Sequence, residues 1–303
     1  MKSRIFNVAS VPQRSPFRYP GGKTWFVPYA RAWLCHLGAP VEELVEPFAG
    51  GAIVGLTAAF EGLANTVTLV ELDPDISAVW EAILNGEAEW LASRIIEFKP
   101  SVGSVSAVLG SEPRSLHDRA FAALLRNRVQ RGGIMAPGAG LMKFGENGRG
   151  LLSRWYPQTL GRRIREIASL AHRLRFVSGD GLSHIEENAP RPGLVYFIDP
   201  PYTVAGRRLY RYSDLDHEKL FSLADRIAGR FLMTYDDAND IRKLAARFEF
   251  ATATVPMKNT HHERMRELLV GRDLEWLSRG VFASKFRSDP GFEFLEANGV
   301  TAG

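Results

Sequence analysis

Short apolar runs alternate with segments of helical apolar spacing over most of the chain. The first apolar run covers residues 43–48, residues 53–60 follow with helical spacing, and a second run covers residues 67–72. The alternation returns later, with strands predicted over 175–178, 193–198, 231–235, 250–255 and 265–270 and helices over 217–228 and 240–248. This order predicts an α/β fold with an open, mostly parallel, Rossmann-like sheet.

A long interruption separates the two halves of this pattern. About a hundred residues lie between Asp73 and the strand predicted at residue 175, far more than an ordinary connection needs. Glycine-rich residues 132–140 cannot form a regular helix and are expected to form an ordered loop or hairpin on a helical platform. We predict an α/β domain from residues 15–85 and 175–280, an inserted, mainly helical domain from residues 86–174, and a C-terminal tail over residues 281–303.

Composition is that of an ordinary folded protein. Of the 303 residues, 45% are hydrophobic and 24% are charged, which excludes intrinsic disorder, a collagen-like chain and a simple coiled coil. No window approaches the roughly 18 consecutive apolar residues of a membrane helix, and residues 1–10 lack the apolar core of a signal peptide. We expect a cytoplasmic protein with no membrane partner. The single cysteine, Cys35, can form neither an internal disulfide nor a cysteine-based zinc site.

Positive charge is concentrated in the interruption. Residues 114–175 contain thirteen basic and three acidic side chains, a net charge of +10, whereas the whole chain carries +4 and the remainder therefore −6. A solvated basic face and a nucleic-acid binding surface are both consistent with this segment.

The residues that follow each predicted strand are candidate site residues, because open α/β sheets bind ligands at the carboxyl ends of their strands. Residues 46–51 form a Glu-Pro-Phe-Ala-Gly-Gly turn, in which glycine lets the backbone approach a ligand. Asp73 stands where a ribose-binding carboxylate would, although a helix-capping role before Pro74 fits nearly as well. Together they indicate a nucleoside-containing cofactor.

Spacing argues against two other kinds of nucleotide site. The full Gly-x-Gly-x-x-Gly pattern is missing, which disfavours NAD. Residues 19–24, Tyr-Pro-Gly-Gly-Lys-Thr, are similar to part of a phosphate-binding loop, but Phe17 stands where that loop requires glycine. We therefore reject an NTPase.

The most informative turn is Asp199-Pro200-Pro201-Tyr202, directly after the apolar residues 194–198. The two prolines lack amide donors and stiffen the turn, which fixes the direction of the carboxylate and leaves carbonyl oxygens free as acceptors. Such a corner, with an aromatic ring beside it, suits the exocyclic amine of a nucleobase. A simple strand-end turn with a capping aspartate is the alternative.

Four motifs follow one another along the chain. They are residues 17–23 (Phe-Arg-Tyr-Pro-Gly-Gly-Lys), the turn at 46–51, residues 71–73 (Glu-Leu-Asp) and the corner at 199–202. This set resembles the Dam-like N6-adenine DNA methyltransferases in its motifs and in their order. The order is similar to the alpha arrangement of the amino-methyltransferases. The resemblance covers about residues 15–275, with residues 261–269 similar to a late strand motif of that family. It implies a methyltransferase domain with residues 86–174 as the inserted target-recognition domain.

The resemblance also implies a cofactor, S-adenosylmethionine, and no metal. The cofactor-binding residues that it implies are Tyr19 and Lys23 at the amino-acid end, Phe48 and Gly50 in the turn beneath it, Asp73 at the ribose, Asp180 at the adenine, and Asp199. Asp180 follows the third predicted strand, and a simple turn aspartate is an equally good interpretation of it.

The implied reaction is direct, in-line methyl transfer to an adenine that has left the duplex. Asp199 and the carbonyl of Pro200 would accept both N6 protons, Pro201 would stiffen the corner, and Tyr202 would stack on the base. Cys35 lies in a helical apolar pattern away from this corner, which disfavours carbon-5 cytosine methylation. Cytosine N4 methylation, an RNA substrate and a catalytically idle DNA-binding relic of the fold remain alternatives.

Double-stranded DNA is the partner that the resemblance implies. The basic segment would supply the contacts, because arginine binds both phosphates and guanine edges. The candidate DNA-binding residues are Arg126, Asn127, Arg128, Arg131, Arg149 and Arg154. A cognate restriction endonuclease is a further partner left open, and we expect a monomer or a weak dimer.

Overall fold

The computed structural model describes residues 11–18, 22–135, 139–145, 148–202, 214–258 and 264–278. Within these residues seven strands form one sheet. The strands are β1 Val41–Glu46, β2 Ala64–Glu71, β3 Leu174–Ser178, β4 Leu194–Ile198, β5 Arg230–Asp236, β6 Ala251–Lys258 and β7 Arg264–Gly271. Their order in the sheet is β3-β2-β1-β4-β5-β7-β6, in which β1 to β5 are parallel and β7 is antiparallel to both its neighbours.

Helices connect these strands. They are α1 Val27–His36, α2 Ile53–Phe60, α3 Pro74–Leu84, α4 Ala88–Glu97, α5 Val102–Leu109, α6 Leu116–Val129, α7 Pro157–Ser169, α8 Gly181–Asn188, α9 His217–Asp225 and α10 Asn239–Arg247. The predicted α/β, Rossmann-like fold class is confirmed by this sheet and its connections. The strand order 3-2-1-4-5 is that of the Rossmann fold, so the carboxyl ends of the parallel strands meet at one edge.

Local sequence explains where the elements near this edge begin and how they pack. All five residues of β4 are buried, as expected where helices cover both faces of a parallel sheet. Helix α3 begins at Pro74 after Asp73, whose carboxylate accepts a 2.9 Å hydrogen bond from the Asp75 amide. Cap and proline together fix the direction in which the chain leaves β2.

Helices α4 to α7 occupy the long interruption between β2 and β3. Helices α6 and α7 both pack against α3, and α4 packs against α7. Buried side chains of these helices, such as Leu124 and Ile164, belong to the same apolar core as Leu44 and Leu69 of the sheet. The inserted helices therefore share a core with the sheet. The exact domain boundaries predicted above remain predictions.

Two backbone contacts join the described residues on either side of the glycine-rich stretch that follows α6. Gln130 and Leu141 form an antiparallel bridge, and the Arg131 amide donates to the Gly140 carbonyl at 3.1 Å. No helix within the described ranges combines the length and apolarity that crossing a bilayer requires.

Candidate functional site

A cavity of about 730 Å³ lies at the carboxyl edge of the sheet. This volume falls in the range of small-molecule sites, about 300–1,000 Å³. The predicted catalytic and cofactor-binding residues that line it are Lys23, Phe48, Gly50, Asp73, Asp180, Asp199 and Pro201. The structure thus brings together residues that lie up to 178 positions apart, from Lys23 to Pro201.

The turn after β1 is held open by its backbone conformation and by the end of β2. Gly50 has φ +46°, a left-handed conformation that favours glycine. Its amide donates to Glu71 Oε2 at 2.8 Å, and its carbonyl accepts from the Trp80 indole at 3.0 Å. Glu71 also accepts from the Asp73 amide at 2.8 Å. One carboxylate therefore ties together the two turns that face the cavity.

Two carboxyl groups in this region lie where a proton is easily retained. Burial raises the pKa of the Glu46 carboxyl, at the end of β1, to about 8, although the Gly55 amide donates to it. Burial likewise raises the pKa of Glu71 to about 7 against the effect of its backbone donors. Both residues line the cavity, and neither was singled out as a site residue from the sequence, although both stand inside the motifs.

Asp199 is oriented by donors on two other parts of the chain. Its Oδ1 accepts from Thr234 Oγ1 on β5 at 2.7 Å and lies 2.9 Å from Lys23 Nζ. Within the described part of the chain, no hydrogen bond is formed by Oδ2. The carboxylate is therefore fixed through one oxygen, while the other can accept from a ligand.

Glu267 on β7 completes this group, and sequence reasoning missed it. It lies 3.0 Å from Lys23 Nζ and accepts a hydrogen bond from the Tyr202 hydroxyl. Burial raises the pKa of Glu267, and the Lys23 ammonium opposes that shift. The available signal was a single acid directly before the apolar residues 268–270 of a predicted strand.

Tyr202 lies differently from the expectation that it stacks on a base. Its hydroxyl accepts from Lys23 Nζ at 2.6 Å, and its ring stacks on Tyr235 with centroids 5.9 Å apart. The ring packs against the core and does not line the cavity. The hydrogen bonds of its hydroxyl with Lys23 and Glu267 hold the side chain in this position. In this conformation Tyr202 supports the corner, and its stacking on a base stays a prediction.

Asp73 and Asp180 each cap the N-terminus of a helix, α3 and α8 respectively. Asp180 accepts from the Ser183 amide at 3.0 Å and from its hydroxyl at 2.9 Å. Both residues nevertheless line the cavity. Capping and ligand contact are compatible, because a carboxylate has several acceptor positions.

Two of the predicted DNA-binding residues are engaged inside the protein. Arg126 pairs with Asp75 at 2.7 Å and ties α6 to α3. Asn127 is 1% exposed. Its Oδ1 accepts a hydrogen bond from the Arg18 backbone amide at 2.9 Å, and its Nδ2 donates to the carbonyls of Arg18 and Gly133, each at 2.9 Å. Because these bonds occupy the Asn127 amide, its prediction as a base-reading residue is corrected to a structural role.

The other predicted DNA-binding residues are distributed between surface and interior. Arg131 and Arg149 are exposed, and Arg154 is half-buried. Arg128 is buried and lines the cavity. Pro200 is buried beside the corner, and Tyr19 and residues 261–263 lie outside the described residues.

These observations define a Rossmann-like α/β protein with a cavity at the carboxyl edge of its sheet. Neither a family model nor a curated protein matches this sequence.

Several solved structures have a similar layout. The METTL16 methyltransferase domain is 7% identical with a TM-score of 0.40, covering 82% of this chain and 67% of that one. An rRNA methyltransferase from Streptomyces viridochromogenes is 14% identical with a TM-score of 0.33, covering 81% and 82%. A precorrin-6y C5,15-methyltransferase from Geobacter metallireducens is 10% identical with a TM-score of 0.35, covering 80% and 86%.

Proposed function

We propose that this protein is an S-adenosylmethionine-dependent DNA methyltransferase that acts on N6 of an extruded adenine. The observation that carries the proposal is that Asp199 and the glycine turn line one cavity. A methyl donor and an amine acceptor must meet in such a space for direct transfer.

The chemistry of the cavity fits this cofactor. Glu71 and Asp73 lie beside the Gly50 turn and offer carboxylate acceptors to ribose hydroxyls, and Asp180 offers one to an adenine amine. When bound, S-adenosylmethionine supplies an electrophilic methyl group on a sulfonium centre. Lys23 is paired with Asp199 and Glu267, so we assign it to the acidic corner and not to the amino-acid end of the cofactor.

Asp199 prepares the nucleophile. The lone pair of adenine N6 is delocalised into the ring, and hydrogen bonds from its protons to Asp199 Oδ2 and the Pro200 carbonyl favour a more tetrahedral nitrogen. As the N–CH₃ bond forms and the S–CH₃ bond breaks, the nitrogen loses one proton, for which Asp199 is the adjacent acceptor. Lys23 and Thr234 hold the carboxylate in place through Oδ1.

Nucleic acid binding follows from charge. The segment 114–175 carries +10, and Arg131 and Arg149 expose their guanidinium groups on it. Exposed arginines of this kind contact phosphates and base edges.

One labelling experiment tests the proposal. Purified protein is incubated with tritiated S-adenosylmethionine and either mixed-sequence duplex DNA or RNA, and the nucleic acid is digested to nucleosides. We expect label on N6-methyl-2′-deoxyadenosine from DNA. Label on N4-methyl-2′-deoxycytidine would move the specificity to cytosine, label in RNA alone would change the substrate class, and no label in either would leave an idle DNA-binding relic.

A further inference from the structure

A buried arginine faces the cavity from the inserted segment. Arg128, at the end of α6, is 6% exposed and lines the cavity. Its Nη2 donates to the Pro16 carbonyl at 2.5 Å, whereas its Nε is buried without a hydrogen-bond partner among the described residues. A guanidinium removed from water normally has its donors satisfied. The free donor therefore indicates a missing acceptor.

The charges around Arg128 are also positive. Burial lowers its pKa to about 9, and the neighbouring guanidinium groups of Arg163, Arg18 and Arg154 lower it further. Glu166 has the opposite effect on Arg163, whose pKa it raises. A buried guanidinium is ordinarily paired, and positive neighbours add to the cost of burying Arg128, so an anion at its unpartnered Nε would relieve both.

The cavity is divided by charge. The acidic end, defined here as Glu46, Glu71, Asp73, Asp180 and Asp199, lies along the strand ends. The basic end, defined here as Arg18, Arg128 and Arg163, comes from the N-terminal segment and from α6 and α7.

Each end suits a different part of the reacting complex. Sulfonium, ammonium, ribose hydroxyls and an exocyclic amine are cations or donors, and the acidic end accommodates them. At the basic end Arg128 Nε needs an acceptor, and an anion is the acceptor that suits a guanidinium donor.

We propose that the basic end is a subsite for a backbone phosphate of the extruded nucleotide, an inference that rests on the proposed function. Arginine binds phosphate oxygens with its paired donors, which Arg128 Nε can supply. Gln13 and Tyr156, the latter 51% exposed, line the same cavity and mark where it opens to solvent. A phosphate of a polymer must lie near such an opening, because the strand continues outside.

Inorganic phosphate tests the subsite without requiring methyl transfer. Melting temperatures are measured with increasing phosphate at constant ionic strength for the wild type, Arg163→Gln and Arg128→Gln. Arg162→Gln is the matched control, because Arg162 is adjacent on α7 and its side chain is 70% exposed. We expect phosphate to raise the melting temperature of the wild type and of the control by about 2–4 °C, and to have no effect on the other two variants.

Two affinities then identify the source of the anion. In the presence of S-adenosylhomocysteine, duplex DNA should bind Arg163→Gln about tenfold more weakly than the wild type and Arg162→Gln within about twofold. The affinity for S-adenosylhomocysteine should stay within about twofold in all variants. Arg163 is partly exposed, so this comparison holds even if Arg128→Gln does not fold.

The outcomes separate this proposal from the proposed function. A tenfold loss of S-adenosylhomocysteine affinity with unchanged DNA affinity would assign the basic end to the cofactor carboxylate and overturn the phosphate subsite. Equal phosphate stabilisation of all four proteins would overturn it too. If the phosphate and DNA results hold but no nucleic acid is labelled by tritiated cofactor, the subsite stands and the methyltransferase proposal fails.

Discussion

The carboxyl edge of the sheet and the inserted helices both contribute charged residues to one cavity, but in different ways. At the sheet edge, Asp73, Asp180 and Asp199 follow strands directly, so their positions are set by backbone topology. On α6, consecutive residues have unrelated surroundings. Arg126 pairs with α3, Asn127 is fully bonded inside the protein, and Arg128 faces the cavity.

This difference shows what a linear motif can specify. A residue at the end of a parallel strand faces the ligand edge whatever packs around it. A residue on a helix faces a direction set by 3.6-residue periodicity and by the neighbour that covers each side. Variants at both regions can sharpen or break this contrast.

The largest effect is expected at the sheet edge. Asp199→Ala should lower methyl transfer at least about 10³-fold, because it removes the acceptor that orients the amine, while DNA affinity stays within a few-fold. Single-turnover rates and equilibrium DNA binding measure both quantities. Asp240→Asn, whose side chain is 89% exposed in the native protein, is the control. Undiminished turnover in Asp199→Ala would remove this carboxylate from the reaction.

Glu46 should make stability depend on pH. Its pKa is raised from 4.5 to about 8. Its contribution to the free energy of unfolding is therefore fully present below pH 4.5 and is lost as the pH rises through 8. Between pH 6 and 8 the wild type should lose about 2 kcal/mol more unfolding free energy than Glu46→Gln, which can still accept from Gly55. Urea titrations of the ligand-free protein measure this, with Glu42→Gln, exposed on the same strand, as control. Parallel pH profiles of wild type and Glu46→Gln would contradict the assignment.

Glu267→Gln tests the positioning of Lys23. We expect turnover to fall about tenfold, because the ammonium loses its ion pair with Glu267 and is held less firmly beside Asp199. A purely structural role would leave the shape of the pH–rate profile unchanged. We expect the variant to lose the acidic limb that protonation of Glu267 gives the wild type. Glu218→Gln, at an exposed site, should keep the wild-type profile.

The smallest effects should separate two residues of the inserted segment. Asn127→Ala should cost about 1–3 kcal/mol of stability, because Arg18 and Gly133 lose buried partners, while the salt dependence of DNA binding stays the same. Arg131→Gln should do the reverse, with stability within about 0.5 kcal/mol and a salt slope smaller by about 1. Urea titration and binding at several salt concentrations measure both. A reduced salt slope in Asn127→Ala would return that residue to the DNA interface.

Sequence pattern predicted the fold well because burial imposes periodicity on each element. The helix over 53–60 is confirmed, and the predicted strands lie within a few residues of those observed. Where a motif follows a strand, as at Asp73 and Asp199, the predicted residue lines the cavity. Tyr202 and Glu267 could not be assigned in this way, since their contact depends on how β7 is placed beside β5. The direction of the Tyr202 ring is a property of packing across 65 positions of sequence.

The shared core of the sheet and the inserted helices limits which parts of the inserted segment can be replaced. Replacing α4 to α7 with an unrelated segment would remove the apolar side chains that pack against α3 and the adjoining core of the sheet. Exposed positions of the inserted segment, such as Arg131 and Arg149, can change at far lower cost. Substitutions should therefore accumulate at such positions, while the buried faces of the helices that carry them change slowly.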